Sequence, residues 1–301
     1  MSRAILSVAI SVPLLRASII AALCTLLMLL GGCSLLRLAY GQADAWAFRW
    51  LDGYFEFDDA QSLRTREALG SWFAWNRRTQ VVGYADFLGQ IDVAVQVDTS
   101  ADKVCALWDE VRHRIEVGAE QALPALADVA VTLKPAQIQN VERRYARSNR
   151  EFRDEFLQDD PAKRAREAVR RVVNRAESFY GDLDAGQKDA IARWVAESPY
   201  DANLALEERQ RRQQDALQLM RRLGSGSVGT DRAQAEIRTF LHQFERSPRA
   251  AYRRYADGLV RYNCRMAAAI HNSTTPAQRL AASRKLRGWA ADLRGLGGDG
   301  A

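Results

Sequence analysis

Apolar residues return every third or fourth position along almost the whole chain beyond residue 37, and this spacing restricts the fold more than any other feature. Val104, Leu107, Trp108, Val111 and Ile115 make one such stripe, apolar along a single helix face and polar on the other. No run of alternating apolar and polar residues, the mark of a half-buried strand, competes with it, and prolines number only seven in 301 residues. The expected fold is all-α, a multi-helix antiparallel bundle of roughly nine to eleven helices. The helices are expected at 37–53, 59–96, 101–122, 124–131, 135–157, 161–180, 185–197, 200–223, 230–244, 247–271 and 276–295. Pro124 is expected to break or kink the helix that starts at 101, because proline lacks an amide and crowds the carbonyl four residues back.

Residues 1–40 follow another rule. Between Arg16 and Arg37 lie twenty uncharged residues, just long enough to cross a hydrocarbon core as a helix. The preceding segment carries Arg3 and Arg16 and no acid, which gives the charged head and apolar middle of a bacterial export signal. The run ends in Leu30-Gly31-Gly32-Cys33, which resembles the lipobox of bacterial lipoproteins. The resemblance implies that the Cys33 thiol takes up a diacylglycerol, that the signal 1–32 is cut away, and that the new amino terminus is acylated in turn, with palmitate as a diagnostic label. Several acyl chains at ~0.8 kcal/mol per buried methylene hold a bilayer far more firmly than one chain does. An uncut inner-membrane signal anchor is the alternative for the same run. In the lipoproteins it resembles, Ser after the cysteine permits transfer to the outer membrane, and Ser34 therefore implies an outer-membrane anchor with the domain facing the periplasm.

Cutting before Cys33 leaves 269 of the 301 residues, enough for one large helical domain. Loss of Arg3 and Arg16 lowers the formal charge from +6 to +4. Only five of the 43 basic residues are lysines. That bias either marks guanidinium recognition of phosphates or carboxylates or reflects the composition of a GC-rich genome. Once Cys24 leaves with the signal and Cys33 is lipidated, Cys105 and Cys264 remain as an even pair in an oxidising compartment. A bridge between them closes a loop of about 160 residues and is worth up to ~5 kcal/mol through chain entropy. Two free thiols in helix cores fit the sequence equally well.

A local pattern recurs four times: Asp58-Asp59-Ala60-Gln61, Lys134-Pro135-Ala136-Gln137, Asp184-Ala185-Gly186-Gln187 and Thr275-Pro276-Ala277-Gln278. Each opens an expected helix with Gln at the fourth place, and in three of them an Asp or Thr completes a capping box. Lys134 has no acceptor, so the second copy is partial. Four independent helix starts produce this pattern. It also resembles the LTxxQ motif of periplasmic helical chaperones, with Leu133 and Leu183 just ahead of two copies, and that resemblance implies a helical cradle for unfolded clients. A second resemblance covers more of the chain. The order Ala39-Tyr40, Asp58 to Gln61, Trp75-Asn76-Arg77-Arg78, Tyr84-Ala85 and Thr275 to Gln278, behind a lipobox, is similar to a family of helical bacterial lipoproteins known only as a domain of unknown function. Its usual WHR reads WNR here. This resemblance implies a fold and a location and no activity.

Tests for chemistry return little. GSGSVG, residues 224–229, matches the dinucleotide fingerprint GxGxxG, but a helix precedes it instead of a strand, and Thr230 stands where a P-loop has Lys. It is read as a flexible connection. His113, His242 and His271 lack ligand spacing, no GxSxG elbow exists, and Asp58-Asp59 and Asp159-Asp160 sit where helix caps belong. No catalytic residue, metal site or cofactor is expected. The arginine-rich stretch 143–175 is read mainly as a solvated helix face, with Glu167 and Arg171 four apart, and export argues against nucleic acid as a partner. Contact with anionic lipid head groups or an acidic partner is the remaining use of that charge. Tyr40, Trp46, Phe48, Trp50, Tyr54, Phe55 and Phe57 are expected to dock the first helix on the bundle, Trp46 and Trp50 sharing a face, with a place at the membrane interface as the alternative.

The chain thus divides into a signal at 1–32, a lipidated and aromatic-rich docking segment at 33–57, a helical periplasmic domain at 58–295 and a disordered tail at 296–301. The expected function is non-enzymatic binding of a protein client or an anionic envelope component, in a chaperone-like or scaffold role, by a domain held to the bilayer through Cys33. An envelope enzyme acting on peptidoglycan or lipid through two convergent acids is one alternative. A structural spacer or assembly subunit is the other.

Overall fold

The computed structural model describes residues 40–298. The signal, the lipobox Leu30, Gly31, Gly32, the lipidation candidate Cys33 and the last three residues of the tail lie outside them. Among the described residues the chain is all-helical, with eleven helices and no strand. They are α1 (Ala43–Phe55), α2 (Asp59–Thr79), α3 (Val81–Ala94), α4 (Ala101–Ala130), α5 (Pro135–Phe156), α6 (Pro161–Tyr180), α7 (Ala185–Ala196), α8 (Ala202–Leu223), α9 (Thr230–Glu245), α10 (Ala250–Asn272) and α11 (Pro276–Gly298). No helix among them is long and apolar enough to cross a membrane.

Side-chain oxygens start about half of these helices. Asp58, Ser100, Asp160, Asp184 and Asp201 each accept a bond from an amide of the first turn, satisfying donors that have no partner within the helix. Pro135, Pro161 and Pro276 stand at the first helical position, where a missing amide costs nothing. Glu56, in the left-handed conformation with φ 48°, ends α1.

Three of the expected helix bounds need correction. The helix from 59 to 96 is two helices, which meet at Gln80. Thr79 turns its hydroxyl back onto the Trp75 carbonyl at 2.8 Å, a bond that bends helices, and the β-branched pair Val81-Val82 follows. Conversely, Pro124 does not end a helix, because α4 runs through it from 101 to 130. Leu123 and Ala127 on either side are fully buried against Leu219, Leu223, Ala233 and Ile237, so packing on α8 and α9 holds the helix together across the proline. At the carboxyl end α11 continues to Gly298, and Leu296 is buried, so the tail begins later than 296.

The 224–229 connection is tied down at Gly224 and Val228, with residues 225–227 exposed between them. Gly224 sits so close to the backbone of Leu133 that an added Cβ would lie 2.4 Å from its carbonyl oxygen, and Val228 packs against the α4–α8–α9 cluster. Docking of α1 is likewise carried by other aromatics than the shared face suggested. Phe48 is buried, and Tyr54, Phe55 and Phe57 pack against the cluster of Leu133, Ile138, Val141 and Leu217. Trp46 and Trp50 instead face outward, 51% and 63% exposed.

The helices fall into two halves that share a set of internal contacts, to which the first half adds packing of α2 on α3. In the first half α1 packs on α2 and α5, and α2 packs on α4. In the second, α6 packs on α7 and α11, and α7 packs on α10. The halves are joined by exchange: α3 lies on α11 of the other half, and α8 lies on α5. α4 and α10, the corresponding long helices, pack on each other. Cys105 and Cys264 form a disulfide between those two helices, with Cα atoms 5.5 Å apart. α9 is the addition, a helix of the second half that lies on α4 and α8 and has no counterpart in the first.

Candidate functional site

The four recurring glutamines meet in two pairs. Gln61 and Gln137 exchange amide bonds at 3.2 and 2.7 Å, and Gln187 and Gln278 exchange theirs at 2.8 and 3.0 Å. Each Oε1 also accepts the backbone amide of its own cap residue: Asp58, Lys134, Asp184 or Thr275. Each Nε2 also donates to the backbone carbonyl two residues before its partner's cap, on Thr132, Glu56, Ser273 and Asp182. The two locks therefore repeat this set of bonds, to which Gln61 Nε2 adds one to the Thr132 hydroxyl at 3.2 Å. Gln61, Gln137 and Gln187 are buried, and every polar atom of their amides is used. Lys134, which has no acceptor for a cap, sends its ammonium to the Asp58 carboxylate at 2.8 Å. That bond, with the amide of Gln61, holds the Asp58 carboxyl below its ordinary pKa.

Other buried polar groups join elements rather than form a reaction centre. Tyr40 donates to Asn76 Oδ1 at 2.9 Å, and Asn76 Nδ2 donates to Tyr84 at 3.0 Å, which brings the start of the fold, α2 and α3 to one point. The WNR asparagine is thus a bridge between two tyrosines. His271 is buried, with Nε2 2.9 Å from the Val97 carbonyl and Nδ1 3.0 Å from the Tyr180 hydroxyl. A carbonyl only accepts, so Nε2 carries the proton and Tyr180 donates to Nδ1. Burial pushes the Tyr180 pKa up to about 12. Glu208, almost wholly buried on α8, is held by Arg211 and Arg212. Desolvation opposes its charge, but the Arg211 and Ser247 hydrogen bonds outweigh it and keep its pKa below the ordinary value.

Two acids do converge, though on the surface. Glu116 of α4 and Glu245 of α9 share a hydrogen bond, which raises the Glu116 pKa, and Arg112 pairs with Glu245. His113 and Trp75 border the shallow hollow beside them, which is open to solvent. His242 lies in the last turn of α9. Among the described residues no His, Cys, Asp or Glu cluster has the makings of a metal site.

A groove of about 2110 Å³ borders α6, walled by α6 on one side and α10 on the other, floored by α7 and closed off by residues 198–203. Its apolar lining comes from Val169, Val172 and Val173 of α6, Val195 of α7, and Leu259, Met266 and Ile270 of α10. α6 is amphipathic, but its apolar stripe is only partly used. Val172, Val173, Ala176 and Tyr180 pack into the cluster of Leu183 and Ile191, whereas Ala165 and Val169, earlier on the same stripe, face the open groove. Arg164, Arg166, Arg170, Arg171, Arg175 and Lys188 line it against two acids, Glu155 and Asp201. Asp201 is engaged as the cap of α8. Arg171 lies over the Phe156 ring at 4.5 Å, and the Arg175 side chain has no partner among the described residues.

Residues 53–253 match the model of a family described as Family of unknown function (DUF6279). The chain belongs to that family. The match runs from the last turn of α1 to the first turn of α10, so the family region contains the first glutamine lock whole and α6 and α7 with it. No curated protein and no solved structure matches the chain.

The site differs from the sequence-level candidates in kind. Cys33 and its lipobox lie outside the described residues, Cys105 and Cys264 form a covalent tie between halves, and the arginine-rich stretch splits, with α5 packed in the first half and α6 bordering the groove. Leu259, Met266 and Ile270 were missed because they sit on an ordinary amphipathic helix. Only the distance between α6 and α10 makes them a wall.

Proposed function

We propose that this protein is a lipid-anchored, periplasm-facing helical binding protein of the outer membrane, which holds a segment of another envelope component in the groove beside α6 and performs no chemistry of its own. The groove carries the reading: it is apolar on both walls, cationic along one edge and larger than small-molecule sites of roughly 300–1,000 Å³. The Leu30-Gly31-Gly32-Cys33 resemblance supports the anchor. The Cys105–Cys264 disulfide suits an oxidising compartment, where such bonds persist. Trp46 and Trp50, exposed on the helix nearest the anchor, suit the boundary between bilayer and water. The glutamine locks support the chaperone-like version through their resemblance to the LTxxQ motif.

The test joins location to binding. In cells, Cys33→Ala is expected to abolish palmitate incorporation and release the protein from the membrane fraction, and unchanged labelling would remove the anchor from the proposal. In solution, the chain from residue 33 onward is expected to suppress aggregation of a reduced, unfolding client. Absence of protection at molar excess would defeat the chaperone-like role.

A further inference from the structure

We infer that the groove beside α6 takes an amphipathic polypeptide segment whose carboxylates are spaced along its length. The inference deepens the binding-protein reading and rests on it. Charge decides the sign of the occupant, since six cationic side chains line the groove against two acids, one of which is already used as a helix cap. Part of that charge is internally balanced, Arg166 by Asp160, Arg170 by Glu167 and Lys188 by Glu177. Arg175 is not, and Arg164 meets only the backbone carbonyls of Gln158 and Asp159. A guanidinium left in this state presents a planar fork to a carboxylate or a phosphate.

The distribution of the charge separates those two ligands. From Arg164 to Arg175 the cationic edge runs along eleven helical steps, about 16 Å at 1.5 Å per residue. A lipid carries its charge at one end of an apolar chain and would leave most of such an edge unmatched. A polypeptide with an apolar face and carboxylates one or two turns apart meets the edge along its whole length while its apolar side fills the wall of Val169, Val172, Leu259 and Met266, as amphipathic helices do in other hydrophobic grooves. The chain's own segments outside the described residues do not fit. Residues 1–39 carry Arg3, Arg16 and Arg37 and no acid, the same sign as the edge they would have to meet. A second copy, with formal charge +4 once residues 1–32 are removed, carries the same sign as the edge. The occupant comes from another protein.

The experiment uses the chain from residue 33 onward, which contains the whole described fold, and two labelled synthetic peptides of equal length and apolar pattern, one with Glu and one with Lys at the polar positions. Fluorescence anisotropy is expected to show the acidic peptide binding about tenfold or more tightly than the basic one, with the difference shrinking as salt rises. Arg175→Glu, a change at an exposed and unpartnered side chain, is expected to weaken the acidic peptide about tenfold, whereas Arg284→Glu, the same charge change outside the groove, leaves it bound. Circular dichroism of both variants checks the fold. Equal affinity for the two peptides, or indifference to Arg175→Glu, overturns the inference. Phosphatidylglycerol vesicles supply the competing arm: vesicle binding that Arg175→Glu abolishes, without acidic-peptide binding, assigns the groove to lipid head groups and also overturns it. If the unfolding client is protected while the peptides bind alike, the binding reading stands and only the ligand class falls.

Discussion

A glutamine at the third position of a helix ordinarily satisfies one amide at that helix's own start. Gln61, Gln137, Gln187 and Gln278 go further, because each also bonds its partner's amide and a carbonyl of its partner's connection. Removing one amide leaves several buried groups without partners, so Gln61→Ala is expected to cost about 2 kcal/mol or more in denaturant unfolding. The pairing makes a sharper prediction. Gln61→Ala with Gln137→Ala is expected to show a coupling of about 1–2 kcal/mol, whereas Gln61→Ala with Gln187→Ala adds to within about 0.5 kcal/mol because the two locks share no partner. Additivity in the first pair would refute the lock. The four-residue pattern was visible in the sequence. The partnership was not, since it joins residues 76 and 91 positions apart.

At the scale of elements, periodicity located nearly every helix, and the errors fell where packing overruled a local signal. Pro124 is exposed and sits within α4, while Leu123 and Ala127 bury themselves on α8 and α9. The helix thus accepts a missing backbone bond in exchange for its buried face. Pro124→Ala restores that bond at a solvent-facing position and is expected to raise the unfolding free energy by about 1–3 kcal/mol, read from the denaturant midpoint. A loss of stability instead would mean that α8 and α9 require a bend at this point. Gln80 is the opposite case. Periodicity continues through 59–96, yet α2 packs on α1 and α4, and α3 packs on α11, so one straight helix does not serve both sets of neighbours. The groove belongs to this scale as well. The amphipathic pattern of α6 was legible, but an apolar stripe in a sequence does not say whether another helix covers all of it.

Across the whole molecule, two equivalent sets of helices are joined by an exchange of α3 and α8 and by one covalent bond between α4 and α10. The Cys105–Cys264 loop spans 159 residues, so the bridge restricts the unfolded chain strongly, and its loss is expected to cost up to about 5 kcal/mol in the chain-entropy account. Urea unfolding with and without reductant, and of Cys105→Ser with Cys264→Ser, measures this, and an unchanged midpoint would show that the halves hold together without the bond. By itself the sequence determined the helical class, the helix starts and the resemblance of residues 30–33 to a lipobox, because caps, prolines and a 3.6-residue period act between neighbours in the chain. The tertiary structure decided which glutamines pair, that two distant cysteines lie 5.5 Å apart, that Trp46 and Trp50 face outward, and that α6 and α10 leave a groove between them. Those facts depend on distances between residues far apart in sequence, which no local spacing encodes.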